Sequence, residues 1–250
     1  GCTVRLFEQV FNRFGLKTLW IDFTKSNFQE VIAKHNPSMI WIESPTNPLL
    51  KIIDIEEICN FSNKMQIPVV VDNTFATPLL QRPLKLGATL SLTSTTKYIN
   101  GHSDALGGAV CTESSAWKDK LNFAQKALGL NPSPFDCWLI TRGIKTLPLR
   151  LERQIDNASK IANQLANNPL IESVRYPFRN DHPQCKLAKR QMALGGAIVT
   201  ATVNASQEQT YSFCKNLHFF KMAESLGGIE SLVCHPATMT HASVPKETKL

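Results

Sequence analysis

Residues 91–108 read SLTSTTKYINGHSDALGG: a hydroxyl-rich run of Ser94, Thr95 and Thr96, then Lys97 and Tyr98, a turn at Gly101, and His102 and Asp104. Most lysines do no more than face water. Two features set Lys97 apart. Residues 88–92 have the composition of a strand entering a core, so the lysine follows a buried element. The hydroxyls just before it can donate to an anion beside the amine, which suits an amine held against a reactive carbonyl.

The second half of the pattern lies upstream. Val69-Val70-Val71 ends in Asp72 and is followed by Asn73, Thr74 and Phe75. A fully apolar run of this length predicts a buried parallel strand, and residues at the C-terminal ends of such strands face the ligand crevice. A carboxylate there costs desolvation energy unless a cation meets it. The ring nitrogen of pyridoxal phosphate would be that cation, and its aldehyde would take the amine. Asp72 and Lys97 thus fit one cofactor held between two neighbouring strands.

Four motifs in order extend the pattern: residues 42–48 (IESPTNP), residues 71–75 (VDNTF), residues 94–98 (STTKY) with Gly101-His102-Ser103-Asp104, and residues 223–232 (AESLGGIESL). Together they resemble the Cys/Met-metabolism, or transsulfuration, family of pyridoxal phosphate enzymes, and the likeness runs from Gly1 to Leu250. It implies an α/β chain of the fold-type I, aspartate aminotransferase-like class, a mainly parallel sheet flanked by helices. It also implies a large cofactor-binding domain over residues 1–146 and a smaller α/β domain over residues 147–250, both incomplete.

The resemblance further implies site roles. Lys97 would bind the cofactor covalently and move protons, Asp72 would hold the ring nitrogen, and Ser94 and Thr96 would bind the phosphate. Asn47 would contact the phenolic oxygen, and Gly1 and Cys2 would form the phosphate-binding turn. Glu224 and Ser225 would lie on the substrate stretch, with Glu224 facing the distal amino group of cystathionine. The implied activity is γ-elimination or γ-replacement at sulfur amino acids, foremost cleavage of cystathionine to cysteine, 2-oxobutanoate and ammonia. Joining activated homoserine to cysteine is the alternative, and methionine γ-cleavage, which Cys2 keeps open, comes after it. Residues 133–137 (SPFDC), 182–184 (HPQ) and 193–196 (ALGG) look more like the γ-lyases. Tyr176-Pro177-Phe178 departs from the glycine-bearing turn of the family. Self-association as a tetramer of two dimers is implied for the full-length protein. An arginine for the substrate carboxylate is expected beyond Leu250, and a tyrosine and an arginine for the phosphate before Gly1.

Composition bounds these expectations. The 250 residues carry a formal charge of +7, but lysines and arginines are scattered and accompany no nucleic-acid motif, so no nucleic-acid partner is expected. No apolar run approaches the ~18 residues that cross a bilayer, which predicts no membrane partner. The seven cysteines are widely spaced without a CxxC pair, pointing to reduced thiols, a cytoplasmic location and no zinc site. The six histidines form no ligand cluster, so no metal is expected. A chain that starts at Gly1 without methionine reads as a piece of a longer protein. A scaffold without catalysis is the competing function class, opposed by Lys97, Asp72, Ser94 and Thr96 standing together. A fold-type I aminotransferase is disfavoured by the ordered motifs.

Apolar spacing predicts helices from Val4 to Phe14, over 25–35, from Asp54 to about Met65, over 117–128 ending at Gly129, over 147–165 and over 183–194. A further helix is capped by Ser206 and Gln209 and ends near Asn216. Strands are predicted over 19–22, 38–43, 88–93, 108–112, 174–178 and 197–203, with one opened by Pro68.

Overall fold

A computed structural model describes residues 2–25 and 27–239. At its centre is a sheet of order β1-β2-β3-β4: β1 (Ile40–Glu43), β2 (Val69–Asp72), β3 (Leu90–Ser94) and β4 (Gly108–Cys111). The first three strands run parallel and β4 runs antiparallel to β3. The link from β3 to β4, residues 95–107, begins with the lysine turn and needs no crossover because the return is antiparallel.

The chain opens with α1 (Cys2–Arg5), which continues as wide turns over Leu6–Val10 and tight ones over Phe11–Phe14, stopped by Gly15 at φ 85°. The helix expected from Val4 to Phe14 is therefore helical but not one regular α-helix, and its apolar residues Leu6, Val10, Phe11 and Phe14 stay exposed. The strand expected over 19–22 does not form; among the described residues this segment has no ladder partner. Instead the Trp20 indole donates to Glu8 at 2.8 Å and its ring stacks on Phe7, whose edge meets Trp41 of β1.

α2 (Phe28–His35) and α3 (Ile55–Lys64) cover one face of the sheet. Phe28, Ile32, Ile55 and Ile58 pack there with Ile40, Ile42, Val69 and Val71. Asp54 caps α3 by accepting from the Glu57 amide at 3.1 Å, as its position predicted. α4 (Thr77–Leu80) follows β2, and α5 (Ser115–Leu128) ends at Gly129 in the left-handed region. α6 (Pro134–Ile144) leads into the long α7 (Leu147–Ala166).

α7 serves two cores. Leu147, Leu151 and Ile155 pack with Tyr98, Ile99, Ala76 and Leu80, whereas Ala158 and Ala162 pack with Val174 and Tyr176. Beyond it lie β5 (Ile171–Arg175), α8 (Cys185–Gln191) and β6 (Thr200–Val203), with β5 and β6 antiparallel. α9 (Gln207–Lys215) carries the Ser206–Gln209 capping box. β7 (Lys221–Met222) and β8 (Leu232–Val233) pair in parallel. The structure supplies the reason for Tyr176-Pro177-Phe178. The buried Tyr176 hydroxyl donates to Gly196 O at 3.0 Å, and a Cβ on Gly195 would stand 2.7 Å from the Tyr176 ring, so Gly195 makes room for the tyrosine.

Candidate active site

Parallel strands that end together put their last side chains at one rim. Glu43 is in register with Asp72, and Asp72 with Leu92, so the C-terminal ends of β1, β2 and β3 meet there. The Asp72 carboxylate accepts from the Thr74 amide at 3.0 Å and from the Thr74 hydroxyl at 2.6 Å, a local turn typical of aspartate. The same Thr74 Oγ1 accepts from the Ser94 amide at 2.9 Å, which ties Asp72 to the end of β3. Among the described residues Asp72 has no ion pair. Burial holds its carboxyl above the ordinary range, against the two hydrogen bonds from Thr74. Beside it, Glu43 is pushed up to about 7, first by burial and then by the charge of Asp72, although Asn47 N donates to it at 2.8 Å.

Lys97 sits in the wide turn Thr95–Ile99, with its own backbone outside helical geometry at φ −88°, ψ −125°. Its amine is half-buried and donates to Ser225 Oγ at 3.1 Å. Burial lowers its proton affinity, while Cys2 and Glu224 act the other way. Ser225 adopts φ 133°, a conformation a serine holds only when its surroundings enforce it. The enforcement comes from close packing. A Cβ on Gly227 would lie 2.5 Å from Tyr98 N, so this glycine lets the 224–228 stretch lie directly against the lysine turn. Gln154 of α7 holds that stretch by donating to Gly228 O at 2.7 Å.

The structure brings the described residues singled out in the sequence to one cleft of about 3580 Å³: Cys2, Asn47, Asp72, Ser94, Thr96, Lys97, Glu224 and Ser225. Gly1 lies outside the described residues. The hydroxyl of Thr96 is already engaged, accepting from Gly107 N at 3.0 Å and donating to Gly107 O at 3.3 Å. Cys2 is exposed, and its sulfur accepts from Arg5 at 3.1 Å. Sequence reading placed Ser225 on the substrate stretch, whereas here its hydroxyl meets the lysine amine. Thr74 and Glu43 were missed. The run Asp-Asn-Thr after a buried strand, an Asx-turn pattern, was the signal for Thr74. For Glu43, the signal was a carboxylate ending the strand before IESPTNP.

A half-buried acid with no ion pair among the described residues, an amine of lowered proton affinity and neighbouring hydroxyls thus share the rim where three parallel strands end, in a fold of the fold-type I class. The chain belongs to the family of Cys/Met metabolism PLP-dependent enzymes, which matches residues 1–250. Cystathionine gamma-lyase of Macaca fascicularis is 46% identical over 250 residues, all of this chain and 62% of that protein. Among solved structures, cystathionine gamma synthase from Xanthomonas oryzae pv. oryzae, in complex with aminoacrylate and cysteine, superposes with a TM-score of 0.95 at 40% identity. It covers 98% of this chain and 63% of that one. Cystathionine gamma-lyase from Lactobacillus plantarum, complexed with L-serine, gives 0.94 at 36% identity, over 98% of this chain and 64% of that one. The chain thus spans about 62% of the length of the mammalian relative it matches.

Proposed function

We propose that the protein containing this chain cleaves cystathionine at its γ-carbon, releasing cysteine, 2-oxobutanoate and ammonia. The observation that carries the reading is that Asp72, at the end of β2, and Lys97, in the turn just past β3, line one cleft. The acid is half-buried and among the described residues forms no ion pair, and the amine is desolvated with its proton affinity lowered. That donor set fits pyridoxal phosphate. Asp72 would meet the ring nitrogen, Lys97 the aldehyde, Ser94 and Thr96 the phosphate, and Asn47 the phenolic oxygen, with Gly1 and Cys2 beside the phosphate. When bound, the cofactor withdraws electrons from the substrate α-carbon.

The chain's own residues then handle protons and charge. Lys97 Nζ, favoured as the neutral amine by burial, would take a proton from the α-carbon, pass it on to the bound cofactor, and, neutral again, take one from the β-carbon, the γ-substituent leaving with its bonding electrons as a thiolate. Ser225 Oγ accepts a hydrogen bond from that nitrogen and orients it between the two transfers. Glu224 is exposed in the cleft, where its carboxylate favours a substrate with a cationic distal end. Joining activated homoserine to cysteine uses the same groups in the other metabolic direction, and the 0.95 likeness to the Xanthomonas synthase supports that second reading. The proposal includes a smaller domain over 147–250, a tetramer of two dimers and a cytoplasmic location. Among the described residues no helix is long and apolar enough to cross a membrane.

Assaying cystathionine cleavage, cysteine addition to activated homoserine and methionine cleavage on the full-length protein ranks the three readings. Glu224→Ala should reduce cystathionine turnover about tenfold more than methionine turnover. Equal losses would remove the reason for preferring cystathionine.

A further inference from the structure

The turn that carries Lys97 is irregular, and a turn of that kind holds its shape only when something outside it ties its backbone down. Its last carbonyls have no continuing helix to pair with, because the chain swings away at Gly101, φ 72°. Arg150, 53 residues beyond Lys97 and on α7, supplies the missing donors. Its guanidinium donates through Nη1 to Tyr98 O at 3.0 Å and through Nη2 to Ile99 O at 3.5 Å. Nη2 also donates to Gly143 O at 3.0 Å, and Nε to Thr146 Oγ1 at 2.9 Å. Among the described residues no carboxylate pairs with it. A half-buried cation is thus directed at peptide carbonyls, where charge-assisted bonds are stronger than neutral ones and the end of a helical turn is partly negative.

Two glycines make the seat. A Cβ on Gly101 would lie 1.9 Å from Arg150 Nη1, and a Cβ on Gly143 would lie 2.1 Å from Asn100 O. The first leaves room for the guanidinium and the second lets α6 press its backbone onto the end of the lysine turn.

We propose that Arg150 is a positioning residue for Lys97: by clamping the Tyr98 and Ile99 carbonyls to α6 and α7 it fixes the peptide next to the lysine and so the direction in which Nζ points. This inference rests on the role proposed above for Lys97. A shift of about 1 Å in a reacting group costs on the order of 100-fold in rate, so a loose turn should show in turnover rather than in substrate affinity.

The test uses the full-length protein as wild type, Arg150→Met and Arg150→Lys. Arg150→Met should lower kcat by roughly 10- to 100-fold with KM changed by less than about 3-fold. Arg150→Lys should fall between, since an ammonium cannot reproduce the planar fork of donors. In cofactor-free protein, amide exchange at Asn100 and Gly101, whose N–H groups donate to Thr95 O and Lys97 O, should speed up about tenfold in Arg150→Met while Val69–Val71 of β2 exchange as before. If Arg150→Met does not fold, Arg150→Lys carries the test, because it keeps the charge and the stem while losing the fork that reaches the Tyr98 and Ile99 carbonyls. Unchanged kcat, a loss confined to KM, or exchange accelerated equally in the turn and in β2 would overturn the inference. If wild type fails to load the cofactor on Lys97, the reading of the site fails instead, and the exchange result still reports whether Arg150 holds the turn.

Discussion

Two polar clusters lie at the ends of the same strands and are built on opposite terms. In the first, Ser44, Asn73 and Gln81 are each at most 2% exposed, and their amides are bonded throughout. Gln81 Nε2 donates to Ser44 O and to Asn73 Oδ1, both at 2.8 Å, and Asn73 Nδ2 donates to Gln81 O at 2.9 Å. Gln191 of α8 closes the knot by donating to Gln81 Oε1 at 2.8 Å and to Ile53 O at 3.0 Å. In the second, Glu43, Asp72 and Lys97 carry displaced proton affinities, and among the described residues neither acid is in an ion pair. A satisfied buried network rigidifies a fold. Charges desolvated without counter-charge destabilise it and persist where a ligand completes them.

The contrast can be broken by removing the knot. Gln81→Leu removes the side-chain partner of Asn73 Oδ1, of Ser44 O and one of the two acceptors of Gln191 Nε2, and should cost about 3 kcal/mol of unfolding free energy in urea. The pH dependence of Lys97 reactivity towards an amine reagent should stay in place. A moved titration would mean that the two clusters are one.

On the site side the sign reverses, because there the native charge is the liability. The Glu43 carboxyl is raised from 4.5 to about 7. A raised acid contributes stability fully present below its unfolded value and lost as pH rises through the folded one. Glu43→Gln, the isostere of the protonated form, should therefore leave cofactor-free protein unchanged near pH 4 and stabilise it by at most about 3 kcal/mol above pH 7. Urea titrations at several pH values read this directly, and equal stability at both ends would deny that Glu43 is desolvated. The smallest effect belongs to a half-buried pair, Lys51 and Asp22 at 2.9 Å. Lys51→Gln should cost about 0.5 kcal/mol and be screened by salt. Asp22 is lowered to about 2, chiefly by the Thr24 hydroxyl, so its contribution is present above the ordinary 3.8 and lost as pH falls through about 2.

Much of this arrangement was legible in the chain because it follows from local rules. Val69-Val70-Val71 announced a strand buried on both faces, Asp54 and Ser206 announced helix starts, and Lys97 followed its strand as read. The failures share a cause. Residues 19–22 have the composition of a strand, but a ladder needs a partner, and Trp20 found Glu8 and Phe7 instead. Lys97 was visible while Arg150 was not, since nothing local marks an arginine whose partners are carbonyls about 50 residues away. Ser225 took a conformation that no sequence rule assigns to serine; it is set by the contact of Gly227 with the lysine turn.

The central claim is that one amine at the rim carries the cofactor. Borohydride reduction of the full-length protein loaded with pyridoxal phosphate, followed by peptide mapping, tests it most directly. The account predicts a stable pyridoxyl tag on Lys97 alone, and none there in Asp72→Ala unless pyridoxal phosphate is supplied in large excess. A tag on another lysine, or no tag on wild type, would contradict it.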